Sequence, residues 1–336
     1  MKNQTTSLVS PHFPVMLNEI IEISSPIKGG HFIDCTFGGG SYSKALLEFP
    51  KTKVEGIDRD KTVATIAEKI KKKFQNRFKF YQLKFSQVDT ISKNNVDVII
   101  FDLGLSSIQL NDFKRGFSFK SNDLLDMAMG LSDISAQDAV NNLTELQLKL
   151  IIKVLGEEKE ASKIAKNIVK ARAEKRITQV NDLVKIIEKS KKKNYASKIN
   201  PCTKTFQALR IFVNKEITEL INGMINATKI LKPGGKILIV SFHSIEDKIV
   251  KYFFSNFSSN KSRPSRYLPI DETSNSVLFE KYTNKIITPS NKEVEQNKRS
   301  RSAKLRFAVR SKNKFFYPIS LFEKFSKYLN IEAINV

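Results

Sequence analysis

The chain has no tryptophan and only two cysteines among its 336 residues. Cys35 and Cys202 lie far apart in sequence, which argues against a disulfide scaffold or a zinc site and fits a reducing cytoplasm. Long apolar runs are missing too. No stretch approaches the roughly 20 residues that span a bilayer, and the opening MKNQTTSLVSPHF carries no hydrophobic signal segment. No membrane association is expected. Acidic residues are scarce relative to basic ones: 34 Asp and Glu against 57 Lys and Arg, a net charge of +23. A protein this basic is expected to meet a polyanion, nucleic acid first. A lysine-rich composition serving no partner is the alternative, and the clustering of the charge weighs against it.

Apolar residues make up 40% of the chain, enough for a sizeable core. Strand-like and helix-like runs alternate at first. HFIDCTF, KVEGIDRD, KFYQLKF and NVDVIIFDLG read as strands, with SYSKALLEF and TVATIAEKIKKKF as helices between them. The continuous VDVIIF run predicts a strand buried on both faces. This rhythm predicts an α/β fold with a parallel sheet and helices on both sides.

From about residue 120 to 230 the pattern turns helical. NDLLDMAM, ISAQDAVNNL, TELQLKLIIKVLG, EEKEASKIAKNIVKARAEK and QVNDLVKIIEKS all read as helices, followed by one long helix from about Thr205 to Ile230. Its apolar stripe is Leu209, Val213, Ile217, Leu220 and Met224. Gln207, Arg210 and Asn214 fall on another face, either to touch RNA or to brace the insertion. Sheet pattern returns in LKPGGKILIVSF and again in SAKLRFAVR. In HSIEDKIVKYFF, Ser244 and Asp247 have capping-box spacing. The stretch from about 255 to 300 reads as a surface loop. Residues 1–120 and 206–315 are thus expected to be two parts of one domain, 121–205 an inserted all-helical substrate domain, and 316–336 a C-terminal tail.

In open parallel sheets ligands bind beyond the carboxyl ends of the strands. Gly38, Gly39 and Gly40 sit at the first strand–helix turn, where missing Cβ atoms let a ligand approach. The second strand ends at Asp58, placed to accept from ribose hydroxyls or else to cap the next helix. The fourth ends at Asp102, over the same cleft. The loop is a poor match to the dinucleotide pattern G-x-G-x-x-G/A, since the sixth position is Ser43. S-adenosylmethionine, which needs no pyrophosphate site, suits these residues better than a nicotinamide cofactor. No metal is expected.

Several stretches are more particular. HFPVML (12–17), FDLGLSSIQLNDFKRGFSFKSNDLLDMAM (101–129), GEEKEASKIAKNIVKAR (156–172), PCTKTFQALRIFVNKEI (201–217), SFHSIEDKIVK (241–251) and RSRSAKLR (299–306) resemble the RsmH/MraW family. These are 16S ribosomal RNA methyltransferases of the small subunit that act on a cytosine N4 amino group. The resemblance runs from about residue 12 to 310. It implies a Rossmann-like class I S-adenosylmethionine-dependent methyltransferase sheet with an inserted all-helical domain, and a decoding-centre cytidine as target. Carried over, the cofactor contacts fall on Gly40, Ser41, Tyr42, Asp58, Phe85, Asp102 and Gln109. Many members read Gly-Gly-His where this chain reads Gly-Ser-Tyr, so Tyr42 is expected to act through shape or backbone.

The residues read the same way by chemistry. Phe85 either stacks on adenine or packs in the core. Gln109, with donors and an acceptor, either reads a base edge or carboxylate or holds the loop backbone. An exocyclic cytosine nitrogen is a weak nucleophile, so the site must orient it and receive its proton. Asp102 and Ser107, in DLGLSS, are the candidates; Asp102 serving only the cofactor is the alternative. His243 and Glu246 either carry protons or hold a helix start. Basic clusters at 69–79, 163–176, 189–198 and 298–306 are expected to meet phosphates, above all those in the insertion and the C-terminal run. A nicotinamide-dependent oxidoreductase and an RNA-binding assembly protein without turnover are the competing readings.

Overall fold

The computed structural model describes residues 14–93, 95–191, 200–258 and 277–336. Its strands are β1 (Gly30–Asp34), β2 (Thr52–Ile57), β3 (Phe78–Tyr81), β4 (Val96–Asp102), β5 (Leu231–Ser241), β6 (Phe279–Tyr282) and β7 (Lys304–Arg310). They form one sheet in the order β3-β2-β1-β4-β5-β7-β6. β1 to β5 pair in parallel, and β7 runs antiparallel to its neighbours. This is a Rossmann-like, mostly parallel α/β sheet, as expected. The chain order reverses between β1 and β4, so the carboxyl ends of those two strands open the crevice.

The VDVIIF run is buried on both faces. Val98 and Ile100 join one apolar cluster with Phe32, Val54 and Leu238, while Ile99 and Phe101 join another with Ile33 and Ile239. Each such fully buried side chain contributes about 1.5–3 kcal/mol relative to exposure. Helices α1 (Leu17–Ser24), α2 (Ser41–Leu47) and α3 (Ala64–Phe74) cover the first face. Between β4 and β5 come α4 (Ser107–Asn111), α5 (Ala136–Asn142), α6 (Glu145–Val154), α7 (Ala161–Glu174), α8 (Val180–Ser190), α9 (Thr203–Asn214) and α10 (Glu216–Ile230). After β5 follow α11 (Ser244–Asn256), α12 (Asn291–Gln296) and α13 (Ile319–Glu332). Leu148, Ile151, Ile164 and Leu183 of the intervening helices belong to the same cluster as Ile99 and Ile239. On that side the sheet and the helices share one core.

Five sequence expectations change. NDLLDMAM is extended: Leu125, Met127 and Met129 are buried while Leu124 is exposed, a period of two. Its backbone bonds laterally, Leu125 N–H to Thr178 and Met127 N–H to Arg115, which holds it out of a helix. The long helix is two, α9 and α10, broken at Lys215, whose φ of 50° is left-handed. The cap of α11 is His243 with Glu246, one residue before the predicted pair. In the presumed loop, β6 and α12 are ordered elements, and residues 259–276 lie outside the described residues. The last stretch is a helix, not a tail. Its Glu332 accepts hydrogen bonds from the Ile217 and Thr218 N–H groups at the buried start of α10, a place where a carboxylate is favoured.

Candidate active site

The crevice between β1 and β4 holds a cavity of about 460 Å³. That lies within the range of small-molecule and cofactor sites, roughly 300–1,000 Å³. The turn after β1 is built for close approach. Gly38 (φ 48°) and Gly40 (φ 69°) take left-handed backbone that side chains disfavour. The Gly38 N–H donates to Asp58 Oδ2 at 2.8 Å, and the Asp60 N–H donates to Asp58 Oδ1 at 2.9 Å. Thr36 Oγ1 accepts from the Asp102 N–H at 2.7 Å, so the glycine turn and the end of β4 are tied directly. The tips of β1, β2 and β4 thus meet through short hydrogen bonds.

The electrostatics of this end are unusual. Burial pushes Asp102 up to about 8, reinforced by Asp34 and only partly opposed by the neighbouring Tyr42 hydroxyl. Burial likewise pushes Asp34 up to about 6 despite its hydrogen bond from Ser43. Asp58 is raised by burial as well, against the two N–H groups that bind it. Asp102 Oδ1 is buried with no partner among the described residues. Three carboxylates held at a cost, one of them with an unmatched acceptor, fit a cationic ligand. They do not fit a pyrophosphate, whose charge they would repel. S-adenosylmethionine, a sulfonium carrying a nucleoside, fits such a site.

Ser41, Tyr42, Asp58, Phe85, Asp102, Ser107 and Gln109 all line this cavity. Gly40 does not. A Cβ there would meet Ile70 Cδ1 at 2.6 Å and the Phe37 ring at 2.8 Å, so Gly40 serves the packing beneath the turn while Gly38 and Gly39 face the cavity. Tyr42 is buried, and its hydroxyl donates to the Val15 carbonyl, holding the segment Pro14–Val15 as one wall. Phe85 both lines the cavity and packs edge-on against Phe101, ring centroids 5.5 Å apart. Gln109 is spent internally. Its Nε2 donates to Asp60 Oδ2 at 3.0 Å and its Oε1 accepts from the Ser106 N–H at 3.1 Å, so it braces the Ser106–Ser107 turn. Ser107 Oγ accepts from Arg299 at 2.8 Å, which brings the C-terminal basic run to the cavity mouth.

Sequence reasoning missed Asp60 and Arg59. Asp60 is the hub beneath the wall, accepting from Arg115 at 2.6 Å, Gln109 and Thr62. Arg59 lines the cavity and donates to the Gly130 carbonyl (2.6 Å) and the Asn214 carbonyl (3.1 Å), binding the insertion to the sheet. The paired charges in GIDRD were the available signal. Of the polar face of α9, Asn214 bonds to Met127 and Met129, so it braces the insertion. The basic cluster at 189–198 is described only to Lys191, which pairs with Glu158 at 2.6 Å; residues 192–199 lie outside the described residues.

Beside the cavity, and sharing Arg59, Phe85 and Met129 with it, is a smaller pocket lined by Glu216 and Glu219 of α10 and Glu246 of α11. Glu246 Oε2 accepts from the Phe242 N–H at 2.8 Å, and its Oε1 lies 3.1 Å from His243 Nε2. Burial would raise Glu246, but His243, Arg210 and the Phe242 N–H outweigh it and hold the carboxyl below the usual range. The structural role of His243 and Glu246 at the helix start is therefore present. Glu216, His243 and Glu246 bring ligand atoms within 4.8 Å of one another, yet Arg210 already occupies both oxygens of Glu216, at 2.7 and 2.8 Å.

The MraW methylase family model matches residues 9–311. "Ribosomal RNA small subunit methyltransferase H" of Rickettsia africae is 43% identical over 306 residues, covering 90% of this chain and 98% of that protein. The proteins of the same name from Ehrlichia ruminantium (strain Welgevonden) and Bartonella grahamii are each 42% identical. They cover 88% and 89% of this chain, and 98% and 90% of their own lengths. With a matched model spanning nearly the whole sheet and the insertion, and with the three strand tips joined in one acidic crevice, this chain belongs to the MraW methylase family.

Proposed function

We propose that the chain methylates the N4 amino group of a decoding-centre cytidine in 16S ribosomal RNA, within the small ribosomal subunit and in the cytoplasm. S-adenosylmethionine supplies an electrophilic methyl group when bound. The observation that carries the reading is the unpartnered, buried Asp102 Oδ1 beside the Asp34 and Asp58 carboxylates. Held ionised, Asp102 would accept from an N4–H and aim the nitrogen's lone pair. Its carboxyl, which burial pushes up to about 8, would then receive the proton that N4 releases. Ser107 sits beside it on the wall, its oxygen held by Arg299. Residues 121–205 are read as the substrate-facing insertion, and the run 298–306 as a phosphate contact at the mouth. The names of the relatives support the small-subunit substrate.

The test is transfer of labelled methyl from S-adenosylmethionine to small subunits that lack the modification, followed by nucleoside mass spectrometry. N4-methylcytidine at one decoding-centre position is the expected product. Binding to the subunit without any methyl transfer would instead favour an assembly protein.

A further inference from the structure

Arg210 on α9 lines the main cavity and is mostly enclosed, with 15% of its side chain exposed. Its guanidinium is planar and carries five N–H donors. Nε and Nη2 grip Glu216, at 2.7 and 2.8 Å, which uses one edge of the fork. Among the described residues no acceptor meets Nη1, and Nη1 is not among the buried polar atoms cut off from solvent. With Nη1 unbonded, the arginine keeps donors to spare at the cavity wall. The arginine is also rigid. Glu216 follows the left-handed break at Lys215, and the start of α10 is pinned by Glu332 to Ile217 and Thr218. A bidentate arginine so held keeps its free N–H groups preorganised.

Asp102 lines the same cavity, and its buried Oδ1 is an acceptor without a donor. Phe242, also on the wall, lies close over Gly104, where a Cβ would approach its ring at 3.6 Å. The cavity thus offers an acceptor, a donor fork and an aromatic face. The Watson–Crick edge of cytosine presents an N4–H donor, then the N3 and O2 acceptors. Uracil presents O4, N3–H and O2, which would set an acceptor against Asp102 and a donor against Arg210. Enzymes that modify a base commonly read such an edge while stacking its face.

We propose that Arg210 is the specificity-determining residue for the target base, donating to cytosine N3 and O2 while Asp102 accepts from N4. This rests on the cytidine reading above. Glu216 is the positioning residue that orients the fork.

The experiment pairs an enzyme change with a substrate change. Small subunits are reconstituted with a synthetic RNA segment carrying cytidine or 3-deazacytidine at the target position. The second keeps the amine and loses the N3 acceptor. With the wild-type enzyme, kcat/KM should fall about 10- to 100-fold on loss of N3, the size of one hydrogen bond to a charged group. Arg210→Met should lose about as much on cytidine, yet the two substrates should then differ by less than about threefold. Its dissociation constant for S-adenosylmethionine should stay unchanged, which a role confined to the fold would not predict. Equal losses on N3 removal in wild type and variant would overturn the proposal. If Arg210→Met fails to fold, Arg210→Lys is judged by the same ratio: a reduced ratio supports the proposal and an unreduced one overturns it. A wild-type enzyme inactive on the cytidine subunits would instead refute the cytidine reading itself.

Discussion

Asp102 lines the main cavity and Glu246 the smaller pocket beside it, and burial acts on the two carboxyls alike. Asp102 nevertheless rises to about 8 while Glu246 falls below the ordinary range. The difference lies in their neighbours. Glu246 has an arginine, a histidine and the Phe242 N–H. Asp102 has other acids and one oxygen with nothing to accept. The smaller pocket is electrostatically closed and serves as scaffold. The main cavity is open and waits for a cation. Desolvation alone marks neither a structural nor a functional acid; the missing counter-charge does.

The largest expected break in this comparison is at Asp102. Asp102→Asn should lower kcat by about 100-fold or more, the usual reach of a positioned base, measured by labelled methyl transfer. It should also change a pH dependence. In the ligand-free wild type Asp102 binds its proton more tightly when folded than when unfolded. Its stabilising contribution is therefore full below the ordinary value of 3.8 and lost as pH rises through about 8. A cationic ligand must displace that proton, so affinity for S-adenosylmethionine should rise between pH 6 and 8, by at most about tenfold per pH unit. Calorimetry in buffers of different ionisation enthalpy should detect the released proton, and Asp102→Asn should remove that component.

In the closed pocket, Glu246→Ala should cost stability first. It strands the Phe242 N–H and His243 and removes one of the two acids beside Arg210, a loss of about 3 kcal/mol, read by denaturant unfolding. An unfolding midpoint that did not move would contradict the contrast between the two. The smallest effect is expected at Tyr42→Phe. Removing the hydroxyl that holds Val15 should cost about 1 kcal/mol and weaken cofactor binding only a few-fold, by titration. A loss of all binding would mean that Tyr42 does more than hold the wall.

Much of the sheet was legible because its signals are local. The continuous apolar run VDVIIF, the glycine turn and the acids at strand tips need only neighbours in sequence to be read. Helices with strong periodicity, such as Ala161–Glu174, were also plain. The NDLLDMAM segment was misread because its alternating burial is imposed by Arg115 and Thr178, which reach it from elsewhere in the chain. The break at Lys215 hid inside a continuous apolar stripe, since both α9 and α10 are buried along that stripe. Gln109 lines the cavity, but its partners Asp60 and Ser106 consume the groups that a ligand would have used.

The amino-acid order by itself determined the strand–helix rhythm, the acids at the tips of β2 and β4, and the motifs that mark the family, because these follow from periodicity and residue chemistry over a few positions. Tertiary structure decided which of those acids lack a counter-charge, that Gly40 packs downward, and that Arg210 lines the same cavity as Asp102. Charge balance and direction are properties of surroundings. They exist only after segments such as 34, 102, 210 and 246 have been brought together and water has been excluded from between them.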